Sequence, residues 1–453
     1  MSLLGKFDPL GYFIHLPDVE KGDVAAAFPH SENLQIDRRD TALVRQLATL
    51  THEYAHFVHV SSTPFGHFWT RSLCAQGGLA RLTIKALVAD DRKLRLALPI
   101  SANHDDRSKQ STVLRGVVIG WRIIDSLVSS LISDFSSPLQ TRLPELDKAF
   151  GLVLKFGYTD RDLPGYRVAH IPQISTNLEA DSLTLPEGEL KLDALSTVNL
   201  LEVHAQMIES MFVREYGTAE DFGDIERRSD AAGHSKVLQV MGIFHHQVIE
   251  YSETLISTTM ALIDLALFAP LDPAWSAEWS RHLLWEDIHP AYRFVQAARV
   301  TAEIGLLESD QDFESFHNEI CNRLAWPTPR KIMSDLLPIL ANSASVYDRF
   351  ACECFRIRLE SPNAFSFPIP QHGVPIPLII YKDEAEWISL PFSMDNNHIG
   401  PLLTHYLGHE MANKLLFSNS ARLTAPANVL EPDADRVLQE IFHLKPGSLI
   451  QTH

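Results

Sequence analysis

The nine residues from Thr51 to His59, "THEYAHFVH", hold three histidines and a glutamate. Within them, His52-Glu53-Tyr54-Ala55-His56 reads His-Glu-x-x-His. On a helix, two imidazoles one turn apart can grip one Zn²⁺, and the glutamate, turned about 60° from the second histidine, faces a water on that ion. The competing reading is that the histidines line the wet side of an amphipathic helix.

The segment around them is well specified as a helix. Leu43, Leu47, Leu50, Tyr54 and Phe57 fall within about 40° of one line, which predicts a core-facing stripe with His52, His56 and His59 on the opposite side. Asp40 is placed to cap the start, and Pro64 disfavours helical geometry at Thr63 and so ends the run. A metzincin would continue with Gly at 59 and His at 62, but His59 and Ser62 stand there. A third ligand must then be a carboxylate from another helix.

Residues 196–217, "STVNLLEVHAQMIESMFVREYG", are apolar nearly all round and predict a buried helix. Against that background Asn199, Glu202, Gln206 and Glu209 form one narrow polar stripe. Carboxylates inside a core need a cationic partner, either a metal ion or an Arg or Lys reaching in.

Taken together, "HEYAH" and Glu202-Val203-His204-Ala205-Gln206-Met207-Ile208-Glu209 resemble the gluzincin class of zinc metallopeptidases. The resemblance implies a zincin-like helical core, one Zn²⁺ per chain and a peptide or protein substrate. It implies that His52, His56 and Glu202 are the ligands, that Glu53 is the general base, and that Glu209 supports the ligands from one layer out. Three protein ligands leave a fourth position for water, whose pKa zinc lowers towards about 7, and Glu53 takes its proton as it attacks a peptide or amide carbonyl. His59, one turn past His56, is expected as a supporting donor, because a fourth ligand would close the site. For the developing oxyanion, Tyr216, His245, His246 and Tyr251 are candidates by closeness in sequence alone.

Two further readings stand beside this one. A zincin scaffold that binds or regulates without turnover would carry the same residues. A di-iron carboxylate oxidoreductase would use the Glu-x-x-His runs Glu286 to His289 and Glu314 to His317, although Pro290 directly follows the first and the second lies in a polar segment. His405 and His409 in "HYLGHE" are expected as a surface or interface cluster, since their glutamate follows the second histidine.

The chain of 453 residues, 45% apolar, can bury a full core, and its formal charge of −18 argues against binding to nucleic acid or anionic membrane. Asp8, Pro9 and Gly11 interrupt what an export signal would need, and the two most apolar stretches carry Arg115, Arg122, Asp125 and Asp264, so neither predicts a membrane span. Four cysteines without a disulfide-like pattern fit the cytoplasm. The oligomeric state is not legible.

Helical periodicity predicts helices near 40–62, 67–89, 110–134, 193–216, 235–268, 291–308 and 331–358. Strand-like runs are few: "GYFIHL" at 11–16, "GYRVAHI" at 165–171, "VPIPLIIY" and "EWISLPF". The expected class is mainly α with small β elements, α+β overall. The Pro-rich stretch 361–377 predicts a boundary between a metallopeptidase-like domain, 1–360, and a C-terminal appendage, 361–453, with a strand segment and terminal helices.

Overall fold

A computed structural model of the protein describes residues 5–16, 40–89, 109–133, 139–157, 173–176, 195–221, 223, 235–245, 252–271, 282–308, 312–343, 345–361, 377–381, 387–388 and 396–417. The fold is mainly α with two small sheets. Helices α1 (Thr41–Ser61), α2 (Pro64–Ala89), α3 (Lys109–Ile132), α4 (Leu139–Gly157), α5 (Thr197–Tyr216), α6 (Ser235–His245) and α7 (Glu253–Leu267) come first. They are followed by α8 (Trp285–Ile288), α9 (Pro290–Ile304), α10 (Phe313–Leu324), α11 (Pro329–Leu340), α12 (Val346–Glu360) and α13 (Asn396–Phe417). No helix among the described residues is long and apolar enough to cross a membrane.

Local signals explain most of these boundaries. Asp40 accepts the Leu43 N–H at 3.0 Å and opens α1 as expected. The long periodic run 235–268 contains two helices, because Ser252 takes an extended conformation and caps α7 by accepting from Leu255 N–H. The run 331–358 likewise breaks, with Ser345 extended before α12. Helices α4 and α10 were not expected. The former carries Pro144 within it, and the latter buries only Phe316, His317, Ile320 and Cys321 on an otherwise polar surface.

Strands β1 (Lys6–Asp8), β2 (Phe13–Leu16), β5 (Leu378–Tyr381) and β6 (Trp387–Ile388) form one sheet in the order β1-β2-β5-β6, with β1 antiparallel to β2 and β2 parallel to β5. Strands β3 (Gln173–Ser175) and β4 (His282–Leu284) pair in parallel as the second. Strand β5 and helix α13, both beyond the Pro-rich stretch, join this architecture: β5 lies beside β2, and α13 packs on α2. The expected strand at 165–171 and everything after 417 lie outside the described residues.

Helices α1 and α5 share the most extensive helix contact, with β1 and β2 against α1 and with α7 and α9 behind α5. A buried polar cluster ties α2 to α12 beside them. His67 Nε2 meets Asp348 Oδ1 at 2.8 Å, Ser343 Oγ donates to Asp348 Oδ2 at 2.5 Å, and Arg71 donates to Ser345 Oγ at 2.6 Å. Burial alone would raise the Asp348 carboxyl, but Arg71 and His67 hold it below its usual range. Asp348→Ala removes the counter-charge that both share, and the expected cost is about 3–5 kcal/mol, read as a lowered denaturant midpoint. A midpoint within error of the parent would show that the cluster carries no net stability.

Candidate metal centre

Beyond Gln46, every residue of α1 is buried except His52 and His56, which are half-buried. The wet-face reading of this helix therefore fails: Thr51, Glu53 and His59 are buried, and only the two histidines reach an opening. On α5 the pattern is similar. Ser196 caps the helix and shares a reciprocal capping box with Asn199, and from Leu200 to Glu209 all residues are buried except Glu202 and His204.

These two interruptions of buried helices meet. His52 Nε2 lies 3.4 Å from Glu202 Oε2, and His56 Nε2 lies 3.4 Å from Glu202 Oε1. The rings of His52 and His56 stand 5.0 Å apart at 80°. One ligand atom from each of the three residues falls within 4.8 Å of the others, and this is the one such group among the described residues. A tetrahedral ion with bonds of about 2.0–2.1 Å needs ligand atoms roughly 3.3 Å apart, so the donor set fits a metal ion with little adjustment. No arginine or lysine takes the place of the cation at Glu202 among the described residues.

Glu209, buried one layer behind, places Oε2 at 3.1 Å from His52 Nδ1. A carboxylate there fixes the proton on Nδ1, so that Nε2 is the nitrogen that faces Glu202 and His56. Both glutamates also act on charge. Burial disfavours the His52 imidazolium, but the bonds to Glu202 and Glu209 outweigh it and push its pKa up to about 10. Burial likewise works to raise the Glu202 carboxyl, yet His52 and His56 hold it far below the ordinary range.

That pairing would set the pH dependence with which the group takes up a metal ion. Without metal, His52 keeps its second proton up to about pH 10, and ligation must displace it. Adding Zn²⁺ to weakly buffered metal-free protein at pH 7 should release about one proton per ion, with affinity rising about tenfold per pH unit between pH 7 and 8. Binding without proton release would show that His52 is already neutral. In the metal-free fold the same pair contributes stability that is complete below the unfolded histidine value of about 6.5 and is lost as pH rises towards 10.

Glu53 sits on the same stretch of α1 with only 7% of its surface exposed. Burial raises its carboxyl, opposed by His56, His52 and the Phe7 backbone N–H. His59 turns away from the three-residue group: its Nε2 meets His204 Nδ1 at 2.9 Å, its ring lies 5.8 Å from that of His56, and its Nδ1 is buried without a partner. His204, overlooked in the sequence, is thus the neighbour that His59 supports. Burial lowers the pKa of His204 to about 4 and keeps it neutral.

Among the described residues, the other histidines form no second group of this kind. His289 Nε2 meets Ser130 O at 3.1 Å and His317 Nε2 meets Ala261 O at 2.8 Å, so the two Glu-x-x-His runs point at separate backbone carbonyls. His409 bonds Gln76 Oε1 at 3.1 Å and leans on Trp121, and His405 lies against Tyr347, both at helix interfaces. Among the proposed oxyanion donors, His245 is held by Thr301 at 2.8 Å, Tyr216 packs on Phe212 at the end of α5, and His246 and Tyr251 lie outside the described residues. Comparison with protein-family profiles, curated proteins and solved structures gives no match.

Proposed function

We propose that the chain is a single-zinc metallopeptidase of gluzincin type, hydrolysing peptide or amide bonds. The observation that carries this reading is the convergence of His52, His56 and Glu202 from two buried helices, with Glu209 behind His52 and Glu53 one residue further along α1. His52, His56 and Glu202 would hold the ion, which would polarise a carbonyl and make a water acidic enough to attack near neutral pH.

The remaining steps belong to the protein's own groups. Glu209 keeps His52 in the tautomer whose Nε2 faces the group. Glu53, its carboxyl raised by burial, is suited to accept a proton from the attacking water and pass it to the leaving amine. The partly open positions of His52, His56 and Glu202 admit a substrate, whereas a fourth protein ligand would exclude one. Strand β1, an edge of its sheet among the described residues, borders Glu53 and suits an extended peptide. None of the four cysteines is joined in a disulfide, which accords with a cytoplasmic setting.

Two histidines and a carboxylate also serve ferrous iron, and metal content separates the two. Protein purified without added metal should carry about one zinc per chain by mass spectrometry, and digestion of a peptide library should stop with 1,10-phenanthroline and return with Zn²⁺. Iron in place of zinc would overturn the reading, as would zinc-loaded protein that leaves the library intact.

A further inference from the structure

The base proposed above is touched by an element outside the ligand set. Gly5 lies so close over Glu53 that a Cβ added there would stand 2.8 Å from Glu53 Cγ and 2.9 Å from its Oε1, with Thr49 Cγ2 at 3.0 Å. Gly5 leads directly into β1. Strand β1 is itself held firmly. The Phe7 ring meets Phe57, one turn beyond Glu53 on α1, edge-on at 5.9 Å. The turn after β1 is fixed by Asp8 Oδ1, which accepts from Leu10 at 3.0 Å and Gly11 at 2.7 Å.

We infer that Gly5 is a positioning residue for Glu53: the missing side chain at Gly5 leaves the space in which the carboxylate lies. The inference rests on the metallopeptidase reading for its chemical meaning, but the contact itself is independent of it. At Gly5 the φ angle is not in the left-handed region, so alanine meets no backbone strain of its own there, and its methyl group presses on Glu53 Cγ and Oε1 and on Thr49 Cγ2, which displaces the Glu53 side chain. A displacement of the base by about 1 Å is enough to cost on the order of 100-fold in rate.

The test uses Gly5→Ala, Glu53→Ala and the double variant, each loaded with Co²⁺, with acetohydroxamate binding followed by visible absorption. Hydroxamates bind the ion and share a proton with a neighbouring carboxylate. Gly5→Ala is expected to keep one metal per chain and to weaken acetohydroxamate about tenfold, as Glu53→Ala does, while the double variant is no weaker than Glu53→Ala alone. On peptides, the zinc form of Gly5→Ala should lose 10- to 100-fold in kcat with little change in KM. Parent-like acetohydroxamate binding and kcat in Gly5→Ala overturns the inference. So does an equal further loss when Gly5→Ala is added to Glu53→Ala, because Gly5 would then act on the fold and not through the carboxylate. Failure of the functional reading has a different signature: Glu53→Gln leaves peptide turnover unchanged, whatever Gly5→Ala does.

Discussion

His52→Ala and His56→Ala should each leave the purified protein without stoichiometric zinc. Each removes one of three ligand atoms from a group in which the remaining two cannot enclose an ion. Glu202→Ala should weaken binding as heavily, because among the described residues Glu202 is the carboxylate that reaches both imidazoles, at 3.4 Å each. Glu209→Ala belongs to a lower tier. It leaves the three ligand atoms intact but frees the His52 ring, so affinity should fall by a factor on the order of 10 to 100. Chelator competition with the metal-loaded proteins measures the whole series. His405→Ala combined with His409→Ala supplies the control, since both rings pack at helix interfaces and zinc should stay. Full zinc in a His52→Ala, His56→Ala double variant would refute the assignment of the centre.

Glu53→Gln has the second largest expected effect, and it separates binding from chemistry. The amide has the same shape as the carboxylate and sits beside the ligands without being one of them, so zinc content and fold should be retained. It cannot accept a proton, and turnover on peptides should fall by on the order of 10²- to 10⁴-fold at every pH tested. Unchanged turnover with zinc in place would return the chain to the class of scaffolds that bind without reacting.

The sequence disclosed the centre because its two helices carry their chemistry as exceptions to a local pattern. Both helix ends of α1 were readable from Asp40 and Pro64, and the polar stripe of α5 stood out against apolar neighbours. The antiparallel β1–β2 hairpin was half visible, as "GYFIHL". What stayed hidden depends on neighbours distant in sequence. The contact between His59 and His204 joins residues whose helical phases give no hint of one another, since His204 lies roughly 200° around α5 from Glu202. The packing of Gly5 on Glu53 leaves no local trace at all. Periodicity also ran α6 into α7 and α11 into α12, because a stripe of apolar residues continues across a cap without recording it. Helix α10 was passed over for the opposite reason: its buried face is only four residues wide.

The parallel pairing of β2 with β5 ties the centre to the timetable of protein synthesis. Phe13 lies beside Leu378, about 365 positions further along the chain. A two-stranded hairpin such as β1–β2 is marginal alone, so it rests on α1 until β5 adds the third strand beside β2. At about 5–20 residues per second, that is a delay of roughly 20 to 70 s after β2 leaves the ribosome. During this interval α1 and α5 can already meet, so the helix pair comes together before the sheet that covers α1 is complete.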